Sequence, residues 1–155
     1  MRSILFLVIS ACLCVSLFYL AEVAETQHMG IRVNLSNSSP YYLFRSSKFD
    51  KISRGQHVII DHPTLTYKNI GKMIAGLPGD EIKVIDGNVF INEEWFGKIL
   101  KTSSSGKSYT PVLEQVIEDG YVYLYAPHEE SFDSRYQEFG LIEISRIKES
   151  IWPIF

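Results

Sequence analysis

An uncharged, apolar run over residues 3–21 is the feature that most restricts what this chain can fold into. A helix of about 20 apolar residues is long enough to cross the hydrocarbon core of a bilayer. Arg2 precedes the run, and Glu22 and Glu25 follow it. By the positive-inside rule, this places the N-terminus in the cytoplasm and the rest of the chain outside. The sequence therefore predicts an N-terminal membrane anchor over residues 1–21.

A cleaved secretory signal is the alternative for this run, because it also has a basic start and an apolar stretch. Cleavage after Ala21 would put Tyr19 three residues before the cut, and cleavage after Ala24 would put Glu22 there. Neither side chain is small, as such sites require. A lipoprotein signal ending at Cys12 is disfavoured because the apolar run continues well beyond it. A retained anchor is the favoured interpretation.

The rest of the chain is long enough for one domain with a core of its own. We predict a short polar stalk over residues 22–33 and a single domain over residues 34–155. Short apolar runs bounded by turn residues, together with nine Tyr and nine Phe, favour a mainly β, antiparallel domain. An Asp86-Gly87 turn indicates a hairpin. The runs predicted as strands cover residues 58–60, 82–85, 89–91, 112–117, 121–125, 141–144 and 151–152. Residues 101–109 are polar and are predicted to be a mobile loop.

Composition argues against several classes of function. The chain has a formal net charge of −3 and no clustered basic segment, so nucleic acid is not an expected partner. The only cysteines, Cys12 and Cys14, lie in the apolar run, so no disulfide is predicted in the domain. His128 is followed by two glutamates but lacks the second histidine of a metal-binding motif. No metal and no other cofactor is predicted.

Two segments each carry one side chain suited to catalysis. Ser38 lies two residues before Pro40, on a segment that the proline biases toward an extended or turning backbone. Lys72 precedes an apolar stretch that runs into a Gly-Leu-Pro-Gly-Asp turn. Apolar surroundings disfavour the ammonium and lower the pKa of a lysine, which can then act as a base. Taken singly, an ordinary Ser-rich loop and a surface lysine are the commoner explanations.

A third polar segment, residues 131–136, follows later in the chain. In it Asp133 and Arg135 alternate with Ser134, so on an extended backbone they would share one face and could form an ion pair. Alone, this pattern is equally typical of a polar turn with a solvated pair.

Taken together and in this order, the three segments resemble the signal peptidase I family. Its members carry a serine before a proline, a lysine four residues ahead of a G-L-P-G-D segment, and an S-x-D-S-R-Y segment. An N-terminal membrane anchor precedes the serine. The matching residues here are Ser38 with Pro40, Lys72 with residues 76–80, and Ser131 with residues 133–136. The resemblance spans about the whole chain and implies a compact, signal-peptidase-like antiparallel β domain.

The resemblance also implies the role of each residue. Ser38 would be the nucleophile and Lys72 its general base, a Ser/Lys variant of the catalytic triad. The backbone N–H of Ser38 and the hydroxyl of Ser36 would form the oxyanion hole. The supporting residues are Ser131, which would orient the lysine, and the ion pair of Asp133 with Arg135.

Within this family, the chain is most similar to the conjugative-transfer peptidases of the TraF type. Their T-x-S-x-P-x-G-x-Y pattern is matched loosely by residues 36–44, and its spacing favours Ser38 and leaves Ser39 as the alternative nucleophile. Tyr42 stands where that pattern has glycine, and Met73 follows the lysine where arginine is usual. Residues 126–130 also differ from the G-D-N-R-D run of the housekeeping enzymes.

The similarity to the TraF type implies a substrate and a location. The substrate would be an exported preprotein, specifically a pilin precursor in conjugative transfer, with cyclisation of the product left open. The enzyme would be a single-pass protein of the bacterial inner membrane, in contact with lipid through its N-terminal helix. Its catalytic domain would lie on the periplasmic side.

Two other functions are weighed against this one. Self-cleaving repressors use a similar Ser/Lys pair, but they are soluble and have no anchor. A catalytically silent, membrane-anchored β scaffold of a secretion or conjugation apparatus is the alternative from a different class. Retention of both Ser38 and Lys72, together with Ser36 and Ser131, argues against a silent scaffold. A histidine base is disfavoured because the serine lies in no G-x-S-x-G motif.

Overall fold

The structure is a computed structural model that describes residues 2–26, 30–36, 39–66 and 69–154. Its single long helix, α1, spans Arg2–Thr26. The window Phe6–Val23 has a mean hydropathy of 2.2, and none of it is buried against the rest of the protein. By length and composition this helix can cross a bilayer, although a signal sequence would satisfy the same criteria.

The remaining described residues form two antiparallel sheets, which confirms the mainly β fold. A seven-stranded sheet has the order β1-β2-β11-β3-β4-β9-β10, and a four-stranded sheet has the order β7-β6-β5-β8. The strands are β1 (Gly30–Val33), β2 (Leu43–Lys48), β3 (His57–Ile60), β4 (Ile70–Gly76), β5 (Glu81–Ile85), β6 (Asn88–Ile91), β7 (Glu94–Lys98), β8 (Gln115–Val116), β9 (Tyr121–Tyr125), β10 (Ile142–Glu143) and β11 (Ile147–Pro153).

The predicted hairpin at Asp86-Gly87 is present and joins β5 to β6. Both turn residues have positive φ, 50° for Asp86 and 74° for Gly87, as the two-residue type I′ turn requires. A second turn of the same kind, at Asn92 and Glu93, joins β6 to β7. It lacks glycine, and the sequence analysis did not find it.

Several segments differ from the sequence-based expectations, and strands β2, β4 and β7 lie outside the runs predicted as strands. The helix continues to Thr26, beyond the predicted end of the anchor at residue 21. Within the predicted stalk, β1 (Gly30–Val33) pairs with β2. Only Gln115–Val116 of the run 112–117 forms a strand, because Val112 and Ile117 instead turn into the core. The division into anchor, stalk and domain stays a prediction.

The core is divided between two clusters on opposite faces of the large sheet. Successive strand residues point to opposite faces, and β9 follows this rule, with Tyr123 in one cluster and Val122 and Leu124 in the other. The first cluster joins the two sheets, since it also contains Ile82 and Ile91 of the small sheet. The second lies on the other face of the large sheet.

The turn between β4 and β5 connects the two sheets. Gly79, with φ of 88°, follows Pro78, and the N–H of Asp80 donates to the carbonyl of Leu77 at 3.1 Å, which is the pattern of a type II turn. The buried carboxylate of Asp80 accepts hydrogen bonds from the Leu77 N–H, from Arg54 and from the Asn92 side chain. Burial acts to raise the pKa of Asp80, but these hydrogen bonds outweigh it and hold the pKa below its ordinary value.

A glutamate side chain binds a backbone N–H of β5 just beyond the point where β8 stops pairing with it. β8 pairs with β5 only at Glu81 and Ile82. Two residues further on, the N–H of Val84 donates to Oε1 of Glu114 at 2.9 Å. A carboxylate thus occupies the position that a carbonyl of a longer β8 would have taken.

Gly76 lies where the two sheets come closest. A Cβ added at Gly76 would approach Cδ1 of Ile117 at 2.5 Å and Cβ of Tyr123 at 2.9 Å. We therefore expect Gly76→Ala to lower the free energy of unfolding by about 1–3 kcal/mol, through overpacking. Thermal or chemical unfolding of the detergent-solubilised protein measures the effect.

Gly71, in the same strand, provides the matched control. A Cβ there would meet only ordinary contacts, at 3.7 Å from Ile59 and 3.9 Å from Ile151. Gly71→Ala should change the stability by no more than about 0.5 kcal/mol. Equal losses from the two substitutions would contradict the packing explanation.

Candidate active site

Lys72 lies in the middle of β4 and its side chain is buried. It is two residues before Ile74 of the second core cluster, so the two side chains project to the same face of the large sheet. Its Nζ donates to Oγ of Ser131 at 2.7 Å and lies 5.9 Å from the centroid of the Phe139 ring. The ammonium position is therefore bounded by one hydroxyl and an aromatic ring.

The surroundings of Lys72 lower its pKa to about 8. Burial is the main cause, because the charged form loses its hydration. The nearby carboxylate of Asp133 acts in the opposite direction, and the guanidinium of Arg135 adds to the lowering. About a tenth of this amine is therefore unprotonated at pH 7 and about half at pH 8, and this fraction is available as a base.

Asp133 and Arg135 form the predicted pair, and both side chains are fully buried. Nε and Nη2 of Arg135 donate to the two carboxylate oxygens of Asp133 at 2.8 and 2.9 Å, a bidentate arrangement. Oδ2 of Asp133 also accepts the N–H of Ala126 at 3.1 Å. The solvated-pair alternative is thus wrong for these residues.

The remaining donors of Arg135 hold the chain around Ser131. Nη2 donates to the carbonyls of His128 and Ser131, at 3.1 and 3.0 Å. Nη1 donates to the carbonyls of Glu129 and Lys98, at 3.3 and 3.2 Å. The guanidinium therefore fixes the backbone of residues 128–131, and with it the hydroxyl that contacts Lys72.

The segment after β1 is organised by Asn34. Oδ1 of Asn34 accepts the N–H of Ser36 at 3.0 Å and its Oγ at 2.9 Å, an arrangement typical of an Asx turn. The Nδ2 of Asn34 donates to the carbonyl of Tyr41 at 3.1 Å. Oγ of Ser39, the alternative nucleophile, accepts the N–H of Tyr41 at 3.2 Å. Ser38 lies outside the described residues.

A cavity of about 670 Å³ brings these segments together. Lys72 and Ser131 line it, as do Ser36 and Ser39. Its other lining residues are Arg32, Val33, Asn34, Leu35, Phe44, His57, Ile59, Leu65, Asn69, Ile70, Gly71, Met73, residues 125–128, Glu130, Phe132, Phe139 and Ile151. The wall is largely apolar, which suits binding of an extended peptide with apolar side chains.

The surroundings of His62 and His57 differ from those of Lys72. The ring of His62 is buried, packs on Phe139 and pairs through Nε2 with the Phe139 carbonyl at 2.9 Å. Half-buried His57 lines the cavity between the rings of Tyr41 and Phe44, and burial lowers its pKa. Over the described ranges, no group of three or more metal-ligating side chains occurs.

The sequence matches the signal peptidase, peptidase S26, family over residues 1–151. The chain belongs to this family. The match covers α1, every segment that lines the cavity and both sheets except the last two residues of β11, so the family assignment applies to the arrangement described above. The resemblance read from the three sequence segments is thereby confirmed at the level of the family.

The individual relatives have low sequence identity to this chain or align with only part of it. The probable signal peptidase I-2 of Synechocystis is 33% identical over an alignment of 109 residues, and the match covers 65% of this chain and 49% of the relative. The chain thus spans about half the length of that curated relative. A signal peptidase I from Enterococcus faecalis, known from a crystal structure, is 18% identical with a TM-score of 0.44. That alignment covers 66% of this chain and 97% of the other, and at this similarity it adds nothing to the assignment.

Two residues of the candidate site were missed by the sequence analysis. Phe139 contributes the ring beside the Lys72 amine, yet it is far from Lys72 in the sequence and belongs to no recognisable motif. Asn34 could have been found, because asparagine two residues before a serine is a common Asx-turn pattern. Ser36, by contrast, was predicted from the motif.

Replacing Lys72 by methionine tests the cost of burying the amine. A lysine whose pKa is about 8 when folded and 10.5 when unfolded must give up a proton or its hydration on folding, so it destabilises the fold below pH 8. At neutral pH we expect Lys72→Met to raise the free energy of unfolding by about 1–3 kcal/mol, after loss of the Ser131 hydrogen bond.

The gain in stability of Lys72→Met over the wild-type protein should decrease as the pH rises from 8 to 10.5, since the wild-type protein becomes more stable over that range. Denaturant unfolding at several pH values measures this. Lys83→Met, at an exposed lysine of β5, is the control and should show no such pH dependence. A destabilised Lys72→Met protein at neutral pH would contradict the analysis.

Proposed function

We propose that this chain is a membrane-anchored serine endopeptidase in which Ser38 is the nucleophile and Lys72 the general base. The observation that carries the proposal is the state of Lys72. Its amine is buried, has a pKa of about 8 and is held by Ser131 in the cavity. Ser36 and Ser39, the described neighbours on either side of residues 37 and 38, line the same cavity.

In the first step, the neutral amine of Lys72 takes the proton of the Ser38 hydroxyl, and the oxygen attacks the carbonyl carbon of the scissile bond. The lysine then gives its proton to the leaving amine, which releases the new N-terminus. A water molecule, deprotonated by the same lysine, hydrolyses the acyl-enzyme. Ser131 keeps Nζ in place through both steps.

The oxyanion of each tetrahedral intermediate needs donors aimed at it. In this proposal, the backbone N–H of Ser38 and the hydroxyl of Ser36 supply them. The Ser36 hydroxyl donates to Asn34 in this structure. It has one proton, so it must turn from Asn34 toward the oxyanion, and Asn34 acts as its resting acceptor.

Asp133 and Arg135 have a supporting part in this mechanism. Their buried charges neutralise each other, and the spare donors of Arg135 hold the backbone of the Ser131 segment. Neither group needs to gain or lose a proton during catalysis. Their contribution is the fixed position of the Ser131 hydroxyl.

The substrate class follows from the family and the anchor. A peptidase held in the bacterial inner membrane by α1, with its domain on the periplasmic side, would cut exported preproteins close to the bilayer. The spacing of residues 36–44 supports the TraF type. This makes a pilin precursor in conjugative transfer the substrate we favour. Whether the acyl-enzyme is released by water or by the substrate's own amine, which would close a ring, is decided by the product's mass.

The decisive experiment is co-expression with a candidate pilin precursor from the same genetic neighbourhood, followed by mass measurement of the product. The wild-type protein should remove the leader, whereas Ser38→Ala and Lys72→Ala should lower the rate at least about a thousandfold, as losses of a nucleophile or its base do. A cyclic product would be lighter than the linear one by the mass of one water.

Two controls make this result specific. Ser39→Ala tests the alternative nucleophile and should leave processing in place, and Lys83→Ala removes an exposed lysine outside the cavity. Normal processing by Lys72→Ala would eliminate the Ser/Lys assignment. Absence of processing by the wild-type protein, with binding of the precursor intact, would favour the scaffold alternative.

The rate should also depend on pH in a defined direction. Only the unprotonated amine of Lys72 can accept the serine proton, so kcat/KM should increase as the pH rises and level off above about pH 8. Cleavage of a fluorogenic peptide by the solubilised protein measures this profile. A profile that levels off near pH 6.5, the ordinary pKa of histidine, would instead indicate a histidine base.

A further inference from the structure

The polar segment 101–109 was expected to be a mobile loop, but it forms a compact hairpin. Thr102 and Ser108 make an antiparallel bridge, and the N–H of Ser103 donates to the carbonyl of Lys107 at 2.8 Å. At the tip, Gly106 has a φ of 81°, which suits glycine. We call residues 101–109 the buttress hairpin.

The buttress hairpin packs against the segment that carries Ser131. The ring of Tyr109 stacks on that of Phe132, with centroids 4.9 Å apart and planes inclined by 26°. Nζ of Lys107 lies 5.2 Å from the centroid of Tyr109 and 5.7 Å from that of Phe132, within the range of cation–π attraction. Oγ of Ser104 donates to Glu130 at 3.1 Å.

These contacts continue inward to Lys72. Phe132 is the residue after Ser131, and its ring meets Phe139 edge-on, with centroids 5.5 Å apart. Phe139 is the ring that lies 5.9 Å from Nζ of Lys72. Both aromatic side chains line the cavity. Tyr109 thus supports, through Phe132, both the serine that orients Lys72 and the ring that screens it from water.

We propose that Tyr109 is a positioning residue for the peptidase reaction, acting through Phe132 to keep Ser131 and Phe139 against the amine of Lys72. This inference rests on the proposed role of Lys72 as the base. Without the Tyr109 ring, Phe132 keeps the Lys107 amine and the ring of Tyr136, whose centroid is 6.1 Å away, but it loses its nearest stacked ring, at 4.9 Å. Phe132 is then held less firmly, and water gains access to the amine of Lys72. The ammonium form of Lys72 is then better hydrated, so the pKa of Lys72 rises and the amine stays protonated up to a higher pH.

Other charged groups around this cluster also affect the protonation of Lys72. Asp133 favours the ammonium and Arg135 disfavours it. Tyr109 also packs on Tyr136, with centroids 4.9 Å apart, and the Arg135 guanidinium lies 5.9 Å from the centroid of the Tyr136 ring. The further charged or titratable groups that line the cavity or face the buttress hairpin include Arg32, His57, Tyr125, His128, Glu130, Lys107, Tyr136 and Glu138. A substitution of Tyr109 leaves all of them in the chain, so a change at Lys72 can be assigned to the lost packing.

The test measures the protonation of Lys72 directly in the full chain in detergent. Acetic anhydride acylates unprotonated amines, and mass spectrometry of the peptide that contains Lys72 gives the extent of acylation at each pH. The wild-type midpoint should lie near 8. In Tyr109→Ala we expect a midpoint higher by about one pH unit, and a kcat/KM at neutral pH that is about tenfold lower and recovers at alkaline pH.

Matched variants separate positioning from general damage. Tyr109→Phe keeps the ring and should behave as wild type, and so should Lys101→Ala at the exposed base of the hairpin. Tyr109→Leu keeps apolar bulk without stacking and is used if the alanine variant unfolds. Its midpoint should rise as well, by a smaller amount.

An unchanged midpoint in folded Tyr109→Ala or Tyr109→Leu overturns the inference. Acylation requires no turnover, so this result stands apart from the fate of the proposed function. If wild type cleaves nothing, the peptidase proposal fails, while the labelling still decides the link between Tyr109 and Lys72. If Lys72→Ala abolishes cleavage but Tyr109→Ala shifts neither midpoint nor pH profile, only the positioning role is lost.

Discussion

The buried ion pair between Asp133 and Arg135 is the interaction on which the rest of the site depends. Two opposite charges that are buried away from water strongly destabilise a fold unless they pair with each other and their remaining polar atoms have hydrogen-bond partners. Here the pair is bidentate, and the other donors of Arg135 are used by carbonyls of the surrounding chain, including that of Ser131. Because few backbone paths satisfy all of these groups, the pair defines where the Ser131 hydroxyl lies. Lys72 is held by that hydroxyl in turn.

Reactivity and stability oppose each other at Lys72. A buried amine has a low pKa because its charged form is poorly solvated, and the same loss of solvation weakens the fold. The large sheet tolerates this because β4 is a central strand with neighbours on both sides, and core clusters lie on both faces of the sheet. A lysine in an edge strand would be more exposed to water and would keep an ordinary pKa, so its amine would stay protonated at neutral pH. The position of the lysine in the sheet is therefore part of the chemistry.

The sequence predicted those features whose causes are local. The Asp86-Gly87 turn follows from backbone preferences. The pairing of Asp133 with Arg135 was predicted for an extended backbone, but the two residues pair within a turn, in which the N–H of Tyr136 donates to the carbonyl of Asp133. The low pKa of Lys72 was expected from its apolar neighbours in β4, but the ring of Phe139 beside it was not. The polar segment 101–109 looked like a loop because its order comes from Tyr109 stacking on a residue far along the chain. Contacts of this kind leave no periodic signal in a single sequence.

The carboxylate of Glu114 on the Val84 amide has a consequence for the protein's behaviour at high local density. An exposed strand edge with free amides can recruit a strand from another molecule, which is a common route to aggregation. Glu114 removes one of those amides and places a negative charge beside it, so an incoming strand would lose a hydrogen bond and bring its carbonyl up to a carboxylate. Membrane attachment confines molecules to two dimensions and raises the frequency of such encounters. A short β8 that is preceded by a carboxylate on the neighbouring strand therefore disfavours edge-to-edge association of these molecules.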